Sequence, residues 1–181
     1  MKKIFLALLL LTVLGAARAQ DLKKSEFSAS LGYMFEGEVY IWESDFYGSV
    51  GETLLIRLEY DYYFEAMAKR FGLGMFYTYG SPWYDGYETT AQHEVGAVLK
   101  ARLSASDKLL IKPGAYFGFR SYGNDAGTGL GINGSVAFEY QLNDKIKPFV
   151  DLGILSQPAG GNDFSDITYS PVFQINFGLT F

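Results

Sequence analysis

No cysteine occurs in the 181 residues. That excludes a disulfide framework, thiol chemistry and a lipid anchor carried on cysteine. There is one histidine and there are two tryptophans. With so few His and no Cys, nitrogen and sulfur donors for a metal centre are missing. Proline is scarce, at five. After residue 14 no apolar run approaches the length of a membrane-spanning helix. No basic tract occurs either, and the formal charge is −5, so nucleic acid is excluded as a partner.

What is present is aromatic residues and glycine: 14 Tyr, 15 Phe and 21 Gly. That balance favours strands over disorder. The first 19 residues, MKKIFLALLLLTVLGAARA, have the pattern of an export signal. Lys2 and Lys3 precede an apolar run from Ile4 to Leu14, and Ala17-Arg18-Ala19 meets the small-x-small cleavage rule. Residues 1–19 are therefore expected to be removed, leaving 20–181 as one domain. Without Lys2, Lys3 and Arg18, twelve basic residues face twenty acidic ones, a net of −8.

Strict alternation of apolar and polar residues marks eight strands. They are expected at about Glu26–Phe35, Leu54–Phe64, Arg70–Tyr79, Gln92–Leu103, Lys108–Arg120, Gly129–Leu142, Ile146–Leu155 and Pro171–Phe181. The last reads PVFQINFGLTF, with Phe173, Ile175, Phe177, Leu179 and Phe181 on one face. In no strand does the apolar face carry Asp, Glu, Lys or Arg. The opposite face carries Arg57, Lys100, Arg102, Lys112, Arg120 and Lys147 against Glu26, Glu59, Asp61, Glu94, Glu139 and Asp151, interleaved with nine glycines. A charge-balanced, glycine-rich face suits a crowded interior in which charges pair, and an uncharged aromatic face suits lipid. The pattern is that of an inside-out barrel. Eight strands leave room only for side chains, so these charges are expected to form a packed lumen network rather than an ion path.

The gaps between strands alternate. Residues 36–53, 80–91, 121–128 and 156–170 are long connections, whereas 65–69, 104–107 and 143–145 are tight turns. A meander puts all long loops at one end, as in membrane barrels. Aromatics would form two girdles, Tyr33, Phe35, Tyr77, Phe119 and Phe173 among the outer set and Phe27, Tyr60, Tyr62, Tyr140 and Phe181 among the inner, around an aliphatic band. Pro113 falls inside the fifth strand, where a bulge is the expected remedy. Turn lengths place Glu94 opposite Gly118, Lys100 opposite Lys112 and Asp151 opposite Ala137. Lys112, Glu139 and Asp151 are then expected to cluster, with Lys100 sharing the site.

Export signal, eight alternating strands, long loops at one end and a closing strand ending in Phe together resemble the small eight-stranded outer-membrane β-barrel superfamily, the class of OmpX and the OmpA membrane domain. The resemblance implies an all-β, eight-stranded antiparallel up-and-down transmembrane β-barrel in a Gram-negative outer membrane. Phe177, Leu179 and Phe181 resemble the closing signal that the barrel-insertion machinery reads in that class, so this machinery and outer-membrane lipids are the implied partners. Some enzymes of this architecture act on lipid A through His and Ser at the outer rim. His93 and Ser121 are the candidates here, on adjacent strands and diagonal to one another, although Val95 stands where the deacylase type has its serine. A soluble lipocalin-like barrel shares the alternation but explains neither the glycines nor the girdles.

The long loops hold ten acidic residues and no Lys or Arg. Tyr40, Trp42, Glu43, Asp45, Tyr47, Trp83, Tyr84 and Asp85 make the expected interaction surface, with a surface protein or a glycan as the candidate partner. Val39–Glu43 also has strand character and would extend the first strand above the membrane. No cofactor and no dedicated metal site are expected. Loop carboxylates could share divalent cations with lipid headgroups.

Overall fold

A computed structural model describes residues 22–41, 46–50, 52–82, 91–122, 128–143, 145–161 and 167–181. Its strands are β1 (Ser25–Met34), β2 (Gly37–Ile41), β3 (Phe46–Val50), β4 (Thr53–Tyr63), β5 (Phe71–Pro82), β6 (Gln92–Ala101), β7 (Leu103–Ser104), β8 (Leu109–Tyr122), β9 (Thr128–Tyr140), β10 (Lys147–Gly161) and β11 (Ile167–Thr180). Each spanning strand pairs antiparallel with its sequence neighbour, and β1 also pairs with β11, so the sheet closes into an eight-stranded up-and-down barrel. The strands β6 and β7 together form one of the eight.

The two faces separate by parity, because successive side chains point to opposite sides of a strand. Along β4 the burial alternates at every residue from Thr53 to Tyr63. Outward-facing Leu31 and Met75 are 66% and 67% exposed. In a water-soluble fold those would be core residues, so the apolar face requires an apolar surround. Closure is held by backbone and by aromatics at both ends of the seam. Phe181 N–H donates to Phe27 O at 2.9 Å and Phe35 N–H to Phe173 O at 3.0 Å. The same pairs bring rings together, Phe27 with Phe181 at 6.4 Å and Phe35 with Phe173 at 5.5 Å between centroids.

Strand ends differ from the sequence expectation most at the loop end. There β8, β10 and β11 run on to Tyr122, to Gly161 and from Ile167. The segment expected to extend the first strand is β2. It forms a hairpin with β3 and pairs with the upper end of β11. Between β4 and β5 the turn is a single 3-10 turn, Glu65–Met67, followed by Ala68 and Lys69 in the left-handed region at φ 50° and 55°.

Pro113 does not cause the expected bulge. The β8–β9 ladder runs through it without a shift, from Lys112↔Ala137 to Gly114↔Ser135. On the other side the register is also unchanged, Lys100↔Gly114 before it and Leu103↔Ile111 after it. The missing N–H instead interrupts the facing strand, which divides into β6 and β7 at Arg102.

Glycines serve close approach where Glu94 lies. A Cβ at Gly118 would meet Glu94 Oε1 at 2.8 Å, and one at Gly131 would meet it at 2.6 Å. A side chain at either position would displace the Glu94 carboxylate from where it lies.

Candidate functional site

Two places carry polar chemistry among the described residues: the lumen and a groove on the outer rim.

All twelve inward charged side chains are buried or nearly so, and each has an opposite charge in contact. At the turn end Glu26 forms ion pairs with three cations. Arg102 Nη2 lies 2.5 Å from its Oε2 and Lys112 Nζ 2.8 Å, and Lys147 pairs with Oε1. Lys112 also pairs with Glu139. Arg102 stacks on Tyr63 with its guanidinium carbon 3.2 Å from the ring centroid, and donates from Nη1 to the carbonyl of Lys23 at 2.7 Å. Its planar, multi-donor head suits this plug better than an ammonium would.

One level up, Lys100 pairs with Glu59 and lies 3.2 Å from Asp61 Oδ2. Arg57 Nη1 lies 3.3 Å from Asp151 Oδ2, and its head sits 4.8 Å from the Tyr116 ring centroid. Tyr116 O–H donates to Glu59 Oε2 at 3.0 Å. Nearer the loops, Arg120 Nη2 donates to Glu94 Oε2 at 2.6 Å. The free space among these groups is a cavity of about 20 Å³, room for about one water.

The pairing departs from the sequence expectation. Glu94 stands opposite Arg120 rather than Gly118, and Lys100 opposite Gly114 rather than Lys112. The turn is residues 105–108 rather than 104–107, closed by Ala105 N–H to Leu109 O at 2.9 Å. That moves the register by two residues, which keeps every face but changes every partner. Asp151 does stand opposite Ala137. Lys112, Glu139, Asp151 and Lys100 all border the small cavity. Their direct partners differ, since Asp151 pairs with Arg57 and Lys100 with Glu59 and Asp61.

An apolar layer was not expected inside. Met34, Leu55, Leu155 and Val172 pack together at the loop end of the lumen, and Phe76, Val98 and Tyr116 pack at mid-height. The first group had a signal. Met34-Phe35, Leu54-Leu55, Ile154-Leu155 and Val172-Phe173 are apolar doublets, each placing one member on the wrong parity for a polar face.

On the outside, His93 is exposed and stands directly opposite Ser121, not diagonal to it. Tyr77 Oη lies 2.8 Å from His93 Nδ1, and the Tyr79 ring centroid is 5.3 Å from that of His93. The imidazole is thus oriented by a phenol and not by a carboxylate. Glu94, its sequence neighbour, points inward to Arg120. Among the described residues no cluster of His, Asp or Glu could hold a metal ion.

The loop candidates Trp42, Glu43, Asp45, Trp83, Tyr84 and Asp85 lie outside the described residues. Tyr40 and Tyr47 are register partners in the β2–β3 hairpin. Phe177, Leu179 and Phe181 face outward and are 57%, 41% and 45% exposed.

No protein-family model matches the chain, and no curated protein does. Solved structures do. Neisserial surface protein A overlays with a TM-score of 0.64 at 10% identity, over 87% of this chain and 96% of that one. The outer membrane protein OprG of Pseudomonas aeruginosa gives 0.49 at 9% identity over 87% and 95%. The attachment invasion locus protein Ail of Yersinia pestis gives 0.46 at 11% identity over 88% and 100%. The fold is that of the small outer-membrane β-barrels.

Proposed function

We propose that this chain is an integral outer-membrane β-barrel, exported through a cleaved signal at residues 1–19, with a sealed ion-paired lumen and a role in surface interaction through its acidic, aromatic loops. The observation that carries the reading is the inversion of the two faces. A closed eight-stranded barrel presents an uncharged aromatic and aliphatic exterior while six cations and six carboxylates pair inside. A soluble ligand-binding barrel requires the reverse. Fractionation tests it. The chain should partition with the outer membrane, leave it only in detergent, and run faster on a gel before boiling than after. Recovery in the soluble fraction would end the reading.

Support for a surface role comes from the β2–β3 hairpin. It stands on the upper end of β11, and among the described residues β3 has a strand partner on one side only. An unpaired strand edge can accept an extended segment of another protein by backbone hydrogen bonding. The ten loop carboxylates, with no Lys or Arg among them, favour a basic partner. Deleting the segment Tyr40–Tyr47 should lower adhesion of expressing cells by about tenfold while leaving heat-modifiable migration intact. Unchanged adhesion would remove the partner site from this hairpin.

A further inference from the structure

We propose that the groove around His93, at the outer rim between β5, β6 and β8, is a lipid subsite: it takes one acyl chain of an outer-leaflet lipid and donates a hydrogen bond from His93 to the ester or amide carbonyl at the head of that chain. The inference rests on the membrane reading above.

The groove encloses about 270 Å³ and is lined on its outer side by Tyr77, His93, Val95, Phe119, Ser121 and Thr128. Small-molecule pockets start at about 300 Å³, so this one suits a segment of chain rather than a whole ligand. Its floor is apolar. Val95 is 53% exposed and Phe119 63%, and both belong to the belt that faces hydrocarbon. Glu94 and Arg120 also border it, but their charged heads turn inward onto each other at 2.6 Å. Among the described residues the lining offers a free acid or a phosphate no outward Lys or Arg, whereas an uncharged chain meets a matching wall.

The polar part of the lining is small. Imidazole and the hydroxyls of Ser121 and Thr128 are donors of the kind that suit a carbonyl oxygen. Tyr77 sets the imidazole. Tyr77 Oη lies 2.8 Å from Nδ1; in the tautomer in which the phenol donates, the ring proton is on Nε2 and available to a ligand. His93 stands opposite Tyr79 and one step from Phe119 on the flanking strands, residues expected in the outer aromatic girdle, where a bilayer changes from hydrocarbon to linkage region. Acyl chain below and carbonyl above is the order in which an outer-leaflet lipid presents its groups. Among the described residues no carboxylate backs the imidazole as the base of a triad would require, so docking rather than hydrolysis is proposed.

The test uses the folded barrel in phosphatidylcholine vesicles containing a trace of phosphatidylethanolamine with a photoreactive acyl chain. Crosslinks are mapped by mass spectrometry of peptides. Labelling on the strand segments bearing His93, Val95 and Phe119 should exceed labelling at equal depth around Ile154 and Phe173 about tenfold. His93→Ala should reduce it about three- to tenfold, the range expected for one hydrogen bond. Tyr77→Phe should reduce it less, and His93→Gln, which keeps a donor, should retain more than His93→Ala. Even labelling around the barrel at that depth would overturn the subsite and leave the membrane reading standing. No labelling of outward residues on any strand would remove both. Appearance of the free fatty acid would replace docking by hydrolysis and overturn the proposal as stated.

Discussion

Glu26→Ala is expected to lower the stability of the folded barrel by about 3–5 kcal/mol, the cost of leaving buried charge without its partner. Glu26 is 3% exposed and receives Arg102, Lys112 and Lys147 from three separate strands. Without it Lys112 retains Glu139, and Lys147 keeps only the same residue at 3.8 Å. Arg102 keeps the Lys23 carbonyl and the Tyr63 ring but no carboxylate within the described residues. Glu139, and Asp61 opposite position 26 in the register, then remain with three cations at the turn end of the lumen. The measurement is the urea midpoint of the barrel in vesicles, read by gel migration without boiling. Glu26→Gln separates charge from volume, because it fills the same space. It should lose most of what Glu26→Ala loses. A double variant with Arg102→Ala should cost clearly less than the sum of the two single changes, since each removes the other's unpaired partner. A loss below about 1 kcal/mol for Glu26→Ala would show that the network fills the lumen without holding it.

The second large effect is expected on the other face. Leu31→Arg should cost about 2–4 kcal/mol in a bilayer, the penalty for arginine near the midplane of a membrane barrel. Leu31 is 66% exposed and sits in the aliphatic band between Ile56 and Phe177 on the flanking strands. In water a charge at so exposed a position would be close to neutral in effect. The size of the result therefore separates the two environments. Leu31→Ala provides the control for lost contact area, and the arginine-specific part is the difference between the variants. The same substitution at Glu65, in an exposed turn outside the spanning strands, should leave the midpoint within about 0.5 kcal/mol. A barrel that tolerated Leu31→Arg in vesicles as well as Leu31→Ala would not have lipid against that face.

Alternation alone was enough to read eight strands, their order and the side each residue faces. Parity is a local property: it needs only the residue before and after, and no knowledge of the neighbouring strand. It placed Arg57, Glu59, Asp61 and the other charges inside and Leu31, Ile56 and Phe177 outside. The glycines followed by the same logic, since a crowded lumen needs bare positions beside Glu94. The apolar doublets at Met34-Phe35, Leu54-Leu55, Ile154-Leu155 and Val172-Phe173 were also present to be read. They look like weak alternation in any single strand. Only the closed barrel shows that four inward members meet as one layer.

Register and partner choice were decided by the tertiary structure. A turn at residues 105–108, one position later than the 104–107 its residues implied, slides β6 by two positions against β8. That slide leaves every face as the sequence has it and sets Glu94 opposite Arg120 and Lys100 opposite Gly114. Pro113 was recognisable as a conflict, yet which neighbour would lose the hydrogen bond depended on the side its nitrogen faced. The contacts that hold the lumen are long-range: Arg57 and Asp151 are 94 residues apart, and Glu26 and Lys147 are 121 apart. Such pairs form across the barrel interior only once eight strands have closed, so no local pattern carries them. The sequence by itself determined which surface each side chain faces, because a strand's pleat does so. The closed barrel decided what each side chain touches, because contact depends on distances the pleat does not set.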